Sequence, residues 1–401
     1  MAKNESKALN YHEFPKPGKL SVEASKECNS AEDLSLAYTP GVAEPVLAIK
    51  NDPKNAYRFT NKGNLVAVIT DGSAVLGLGD TGPLAAKPVM EGKAVLFKKF
   101  AGIDVFDIEI SCKNPDEFIQ TVINISPTFG GINLEDIAAP QCFYIENELK
   151  KRLSIPVFHD DQHGTAVIVA AALLNALEIQ KKLMKNVKIV FLGAGAAGCS
   201  CARLLKLMGA NDITMVDSKG ILSKKRKNLN QYNQDLAINT EDETLYDAMD
   251  NADVFIGVSG ANLLNEKHIT LMAEKPIIFA LANPDPEILP SKAHAIRDDI
   301  VMATGRSDFV NQVNNVLGFP FLFKGALEAK ARHIDNNMLI AAATALASLA
   351  KEAVPQSVLD AYNLDELNFG KDYLIPKPFD PRLIDWVAKA VRDAYEESKT
   401  K

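Results

Sequence analysis

The stretch from residue 187 to residue 217 leaves the fewest options for the fold. Val187-Lys188-Ile189-Val190-Phe191-Leu192 is an apolar strand candidate, and Gly193-Ala194-Gly195-Ala196-Ala197-Gly198 follows it directly. An Ala/Leu-rich helix then runs toward Gly209, and a second strand, Ile213-Thr214-Met215-Val216, ends in Asp217. A G-x-G-x-x-G alone says little. With a strand before it, a helix after it and an acid about 20 residues on, it marks the βαβ unit of a dinucleotide site. Gly193 permits the tight turn, Gly195 lets backbone approach a pyrophosphate, and Gly198 lets helix and strand pack closely. With Ala194, Ala196 and Ala197 these glycines form the phosphate-facing turn, at a helix N-terminus whose N–H groups are free to donate.

Asp217 is placed to accept from the ribose hydroxyls of NAD and to repel the extra phosphate of NADP. Lys219, Lys224, Lys225 and Arg226 lie nearby and could offset that repulsion, although a solvated basic face is the plainer reading. The expected cofactor is therefore NAD, with NADP left open. Further strands recur at Val254–Val258, Ile277–Leu281 and Ile300–Ala303, each followed by small or polar residues. Ligands of such sheets bind beyond the carboxyl ends of the strands, which puts Asn283 at a ligand. Its plainer role is a turn before Pro284.

Upstream, Leu65–Thr70 and Val105–Ile110 read as strands and Pro115–Ile125 as a helix capped by Asn114. Residues up to about Lys19 read as an irregular arm, because Pro15 and Pro17 break a helix. Tyr38 stands before Pro40-Gly41, on a loop or at the end of an element, where a packed surface aromatic is the plainer reading. Gly77 to Pro83 is a glycine-dense loop without the G-K-[ST] of a Walker site. A helix from Lys87 to Gly102 carries an apolar stripe of Val89, Leu96, Phe97 and Phe100, with Lys93 on or beside it. A lysine there usually snorkels to water, and less often is buried with the lowered pKa a catalytic amine needs.

Between these halves lies Phe158-His159-Asp160-Asp161-Gln162-His163-Gly164-Thr165, with a second acidic pair, Glu135-Asp136, upstream. Glu135, Asp136 and Asp161 offer oxygen donors only, which suits Mg²⁺ or Mn²⁺. His159 and His163, four apart, raise a zinc alternative, but the glutamate of H-E-x-x-H is missing. Asp160 or Asp161 also has a simple reading as cap of the helix from Gly164 to Gln180. A divalent ion beside NAD suits oxidation of a hydroxy acid followed by loss of carbon dioxide, because the ion polarises a carbonyl or enolate oxygen.

The chain has 401 residues, enough for two domains. A net charge of -7 argues against a nucleic-acid partner. Five sparse cysteines suit a reducing cytoplasm, the polar start Met1–Ser6 lacks the core of a signal peptide, and the apolar run Ala166–Leu174 is too short to span a bilayer. The expected fold class is α/β. An N-terminal α/β substrate domain, residues 1–163, precedes a Rossmann-type doubly wound parallel-sheet NAD domain, residues 164–401. The latter ends in a C-terminal amphipathic helix that starts at Asp380-Pro381-Arg382 and presents Leu383, Val387, Val391 and Tyr395 on one face. That face is expected to bury against the first domain.

These motifs resemble the malic enzymes, in the short bacterial form without an added C-terminal transferase domain. The resemblance covers most of the chain. It rests on Tyr38-Thr39-Pro40-Gly41-Val42-Ala43, Gly92-Lys93, Leu134-Glu135-Asp136, the run from Phe158 to Thr165, Gly193 to Gly198, and Asn314-Asn315-Val316 with Phe319-Pro320. It implies NAD-linked, metal-dependent oxidative decarboxylation of malate to pyruvate. Tyr38 is then the acid that protonates the enol, and Lys93 the base that takes the hydroxyl proton. Glu135, Asp136 and Asp161 are similar to the metal ligands, Asp160 to an acid standing behind them, and Asn283 and Asn315 to contacts for substrate carboxylate and nicotinamide. The ammonium form of Lys93 is expected to be disfavoured beside a divalent ion. The family also implies a homodimer. One departure is clear: Ala74 stands where large animal-type members carry an arginine for a malate carboxylate, so the turn from Gly77 to Gly82 or the asparagines must hold that group. The nearest rival is a malolactic enzyme, which keeps its NAD and releases lactate. More distant ones are a metal-free dehydrogenase of the same two-domain plan and a non-catalytic NAD sensor.

Overall fold

The computed structural model describes residues 6–75 and 77–400. Met1–Glu5 of the polar N-terminus, Leu76 of the glycine-rich stretch and Lys401 lie outside the described residues. Two parallel sheets carry the chain. β1 (Leu65–Thr70), β2 (Asp104–Glu109), β3 (Gly131–Leu134) and β4 (Val157–His159) form the first, in the order β2-β1-β3-β4. β1 is buried along its whole length, which is why it reads as an unbroken apolar run. β2, at the edge, is half-buried along its length rather than alternating between buried and exposed residues.

The second sheet contains β5 (Lys188–Leu192), β6 (Asp212–Asp217), β7 (Gly220–Ile221), β8 (Val254–Gly257), β9 (Ile277–Ala280) and β10 (Val301–Thr304), in the order β10-β9-β8-β5-β6-β7. Only β7 is antiparallel. The chain leaves β5 on one side through β6 and returns on the other through β8, so the switch point where such sheets bind ligands lies between β5 and β8.

The helix behind the first sheet spans Pro83–Ala101, four residues longer at its start than predicted because Pro83 is accommodated in its first turn. Its buried face is Ala86, Met90, Ala94, Phe97 and Ala101, with Val89, Leu96 and Phe100 flanking it. The N-terminal arm is not wholly irregular: Lys7–Glu13 is a helix, its Leu9 N–H donating to Ser6 Oγ at 3.2 Å. Pro15 and Pro17 end that helix rather than prevent it.

Thr165–Gln180 is apolar on every side and is packed between the Ala196–Leu207 and Asn336–Leu349 helices. With the preceding turn from Asp160 it is long and apolar enough to cross a membrane, but it is mostly buried inside the protein. A helix apolar all round belongs in a core. All five cysteines are free thiols.

The C-terminal face of Leu383, Val387, Val391 and Tyr395 is buried as predicted, but not against the first sheet. It packs on the Phe319–Glu328 and Asn336–Leu349 helices. The contact needs Gly325, since a Cβ there would lie 2.4 Å from the Ala388 carbonyl oxygen. The Phe319–Glu328 helix in turn meets the first lobe edge-to-face, with Phe97–Phe319 centroids at 4.8 Å, Phe97–Phe323 at 5.3 Å and Phe158–Phe323 at 5.7 Å. Each such pair adds about 0.5–1.5 kcal/mol beyond the area it buries. A single core therefore runs through both lobes, and a smaller cluster, including Val190, Phe255 and Ile278, covers the other face of the second sheet.

Candidate functional site

The acids lie at the carboxyl ends of two neighbouring strands. β3 and β4 are parallel with Leu134 opposite His159, so the chain beyond each delivers Glu135-Asp136 and Asp160-Asp161 side by side. Asp136 adopts a left-handed φ of 53°, sparsely populated for a residue with a side chain, and its N–H donates to Asp161 Oδ2 at 2.9 Å. One carboxylate oxygen each from Glu135, Asp136 and Asp161 lie within 4.8 Å of one another, the only such cluster among the described residues. Glu135 and Asp136 are buried. Burial pushes the Glu135 carboxyl well above its ordinary pKa; Lys93 works against this, and the neighbouring aspartates add to it. Three like-charged oxygens this close want a compensating cation, and an all-oxygen set fits Mg²⁺ or Mn²⁺. The zinc alternative finds no support: His163 Nε2 is engaged by Glu146 at 2.8 and 3.0 Å, away from these acids.

Lys93 reaches this cluster from the middle of the Pro83–Ala101 helix. Its Nζ donates to Asp160 Oδ2 at 2.7 Å, stands 2.9 Å from Glu135 Oε1 and lies 4.4 Å from the centroid of Phe319. The amine is buried, not snorkelling. Burial opposes its ammonium form, but Asp160 and Glu135 outweigh burial and raise its pKa above the lysine norm. Without a cation the direction is thus the reverse of the one expected for a base.

Asp160 is fully buried and is held by Lys93 and by Asn315, whose Nδ2 donates to Oδ2 at 3.0 Å. Thr165 Oγ1 donates to Asn315 Oδ1 at 3.2 Å. Asn315 is therefore brought to the acids as a brace for Asp160. Gly164 makes room for this: a Cβ there would lie 1.9 Å from Asp160 Oδ1. The short turn Asp160–Gly164 is π-helical, so Asp160 and Asp161 belong to the turn rather than capping an ordinary helix start.

The dinucleotide turn behaves as its glycines require. Gly193 has φ +120°, and a Cβ there would sit 2.8 Å from Val258 O, at the switch point between β5 and β8. A Cβ on Gly198 would sit 1.9 Å from Gly193 O, whereas nothing lies within 4 Å of one on Gly195. Gly195 N-caps the Ala196–Leu207 helix without a side-chain cap. The first N–H groups thus face open space of the kind a pyrophosphate fills. Asp217 ends β6 as predicted, but Arg226 holds it through two hydrogen bonds.

Asn283 follows β9 at the carboxyl edge, exposed, with its Nδ2 donating to Leu281 O at 3.4 Å rather than forming the turn contact predicted. Its carbonyl oxygen lies 3.0 Å from where a Gly77 Cβ would be, so the glycine-dense loop of the first lobe meets it across the cleft. Ala74 uses its N–H to bind Asp136 O at 3.0 Å, supporting the acidic bend. Tyr38 ends the Ala31–Ala37 helix; it is 69% exposed and makes no side-chain hydrogen bond among the described residues. It is not packed, contrary to the plainer reading of a packed surface aromatic.

Several supporting residues escaped the sequence reading. Asn133 Nδ2 donates to Glu135 Oε2 at 2.8 Å, and the two-residue period of β3 was the available signal. Ser73 Oγ accepts from Ala138 N at 2.8 Å and so ties the acidic bend to the loop after β1. Glu287 accepts from Ser259 N and Ala282 N, both at 3.1 Å, lacing together the ends of β8 and β9. His159 is buried, with neither ring nitrogen hydrogen-bonded and Nδ1 3.8 Å from Asp161 Oδ2.

Comparison with known proteins gives matches along nearly the whole chain. The family model for the malic enzyme N-terminal domain matches residues 17–115 and 111–150, and that for the malic enzyme NAD binding domain matches residues 162–363. The chain is 56% identical over 393 residues to the NADP-dependent malic enzyme of Halomonas elongata, covering 98% of this chain and 93% of that protein. It is 52% identical over 397 residues to the NAD-dependent malic enzyme of Rhizobium meliloti, of which it covers 52%. The chain thus spans about half the length of several curated relatives it matches. Among solved structures, the malic enzyme from Pyrococcus horikoshii superimposes with a TM-score of 0.90 at 44% identity, covering 98% of this chain and 90% of that one.

Proposed function

This chain belongs to the malic enzyme family, and from that footing we propose that it oxidises (S)-malate and decarboxylates the product to pyruvate and carbon dioxide, reducing NAD(P), with a divalent metal ion required. The observation that carries this reading is the meeting of Lys93, Glu135, Asp136 and Asp160, all buried, with the half-buried Asp161 at the carboxyl ends of β3 and β4. We place the division between a substrate domain, residues 1–163, and an NAD domain, residues 164–401, at that cleft.

When bound, a nicotinamide would supply the hydride acceptor and Mg²⁺ or Mn²⁺ would supply Lewis acidity toward the substrate oxygen. Glu135, Asp136 and Asp161 would hold the ion. Lys93 receives the hydroxyl proton of malate. Glu135 and Asp160 hold it as ammonium; an ion bound by the three acids would compensate the charge of Glu135, so that Asp160 would be the principal partner of the amine. Asp160, braced by Asn315, fixes the amine and can take its proton in turn. Tyr38 delivers the proton to C3 after carbon dioxide leaves. Asn283 and the turn from Gly77 to Gly82 hold substrate carboxylate in place of the arginine missing at Ala74.

The test is a malate-dependent assay with Mn²⁺, in which NAD(P)H and pyruvate should appear in equal amounts and both should vanish on chelation. Lactate without net NAD(P)H would point to the malolactic alternative, and turnover indifferent to chelator would overturn the metal requirement. Five free thiols and a net charge of -7 suit a cytoplasmic protein that takes a small-molecule substrate rather than nucleic acid.

We also propose a homodimer. The Lys7–Glu13, Ala31–Ala37 and Ala43–Asn51 helices bury no residue, and Leu9, Tyr11, Phe14, Leu34, Leu36 and Val46 are each more than half exposed. Apolar exposure on this scale is the mark of an interface, and a two-fold pairing is the commonest way to cover it. Tyr38 sits within this layer, and a phenol that works as a proton donor needs the same cover from water. Sedimentation should give twice the chain mass. Leu36→Glu should shift it toward monomer and lower malate turnover while coenzyme binding persists, whereas a fully active monomer would overturn the proposal.

A further inference from the structure

A second concavity lies between the two lobes, apart from the acids. Its volume is about 550 Å³, within the roughly 300–1,000 Å³ usual for a small-molecule site. The Gln141–Arg152 helix of the first lobe walls one side, and the Ala196–Leu207 helix of the second walls another. Neither Lys93, nor the metal-site acids, nor the fingerprint residues line it, but Gln162 and His163 do. Both belong to the five-residue turn that carries Asp160 and Asp161.

The polar groups of this lining are one-sided. Glu146 is buried and already held, by His163 Nε2 at 2.8 Å and by Lys150 Nζ at 2.8 Å. Arg203 is spent on Asp235 and on the Tyr232 carbonyl. Two donors remain. Gln162 is 2% exposed; its Oε1 accepts from Ser200 Oγ at 3.5 Å, but its Nε2 meets no acceptor among the described residues. Lys206 is exposed at the rim, and its Nζ makes no hydrogen bond or ion pair among the described residues. The acid nearby, Asp235, already belongs to Arg203. A buried amide calls for an acceptor, and the one uncompensated charge is positive. The rest of the wall is apolar, with Leu204, Leu339 and the rings of Phe143 and Tyr232, whose centroids stand 4.9 Å apart.

We infer that this cavity is a second ligand site, for an organic anion with an apolar, ring-sized body, and that its occupancy is felt by the acids through the turn they share. Gln162 gives the anion its hydrogen bond, and Lys206 gives the cavity its positive sign. Glu146 ties His163, and with it the turn, to the first lobe. A ligand on Gln162 fixes the same turn from inside the cavity, one residue beyond Asp161. The anion and a divalent ion on the acids therefore favour one arrangement of the turn, and each should tighten the other by the same factor. The coupling rests on the metal reading above; the binding does not.

The probes are naphthalene-2-sulfonate and the neutral naphthalene-2-sulfonamide, which share a ring body and differ in charge. Both are titrated by calorimetry into the whole protein with coenzyme in excess, which keeps them out of the dinucleotide turn. The sulfonate should bind once per chain and more tightly than the sulfonamide. Gln162→Leu should weaken the sulfonate about 10- to 100-fold, the worth of a hydrogen bond to a charged group. Lys206→Glu should weaken it about threefold to tenfold, while Lys99→Glu, the same charge change on an exposed lysine elsewhere, should leave it unchanged. Equal affinity for the two probes, equal weakening by the two lysine variants, or no weakening in Gln162→Leu would overturn the site. The lysine pair decides the matter should Gln162→Leu not fold. With the sulfonate saturating, Mn²⁺ followed by the spin resonance of the free ion should bind about fivefold or more tightly. Unchanged or weaker Mn²⁺ binding would overturn the coupling. A protein that takes the sulfonate and no Mn²⁺ would sink the metal reading and leave the cavity its ligand.

Discussion

Lys93→Ala is expected to slow malate-dependent hydride transfer about 10²- to 10⁴-fold, the range over which a positioned base matters, with coenzyme binding essentially unchanged. The amine touches Asp160 and Glu135, not the glycine turn after β5, so the two effects are separable. The substitution also leaves two buried carboxylates facing each other without their cation. Removing one partner of a buried ion pair costs about 3–5 kcal/mol, so the melting temperature should fall as well. Stopped-flow single turnover on folded protein separates the two, since folding losses reduce amplitude and a lost base reduces rate. A small primary amine in the buffer should restore part of the rate. Equal losses in rate and coenzyme binding, or no rescue, would count against Lys93 as base.

Asp161→Asn is expected to remove most of the stimulation by Mn²⁺. Even partners that only support a metal ligand cost about 10- to 100-fold in affinity or activity, and a ligand should cost at least as much. Because the change removes one of three crowded like charges, it should not lower stability in the absence of metal. Saturating ion stabilises a folded protein by about 2.7 kcal/mol at one hundred times its Kd. Mn²⁺ should therefore raise the melting temperature of the wild type and not that of the variant. An equal rise in both would show that the ion binds elsewhere.

Much of this was legible in the sequence because it lies in local patterns. The two sheets follow from apolar runs such as Leu65–Thr70 and Val187–Leu192, whose burial on both faces leaves no polar alternation to confuse the reading. Two fingerprint glycines, Gly193 and Gly198, have the steric reasons their motif implies. Glu135, Asp136 and Asp161 were recognisable as donors, and their meeting depends only on β3 and β4 being neighbours. What escaped depends on distant pairing. Arg226 read as part of a solvated basic run, and nothing in Lys224-Lys225-Arg226 says that only the last turns inward to Asp217. The state of Lys93 was likewise hidden, since it is decided by Asp160, 67 positions away, and by Glu135. The exposure of Tyr38 was equally hidden, since nothing beside Pro40-Gly41 says whether that ring packs. The short β7 carries too few residues to leave a signal.

The aromatic joint has a consequence for the integrity of the molecule. Phe97 and Phe158 come from the first lobe and Phe319 and Phe323 from the far end of the chain, and all four are fully buried. The larger core belongs to neither half alone. The wall behind Lys93 cannot exist until the chain has been made past residue 323, and a defect in the Phe319–Glu328 helix would be felt first by the acids more than a hundred residues earlier.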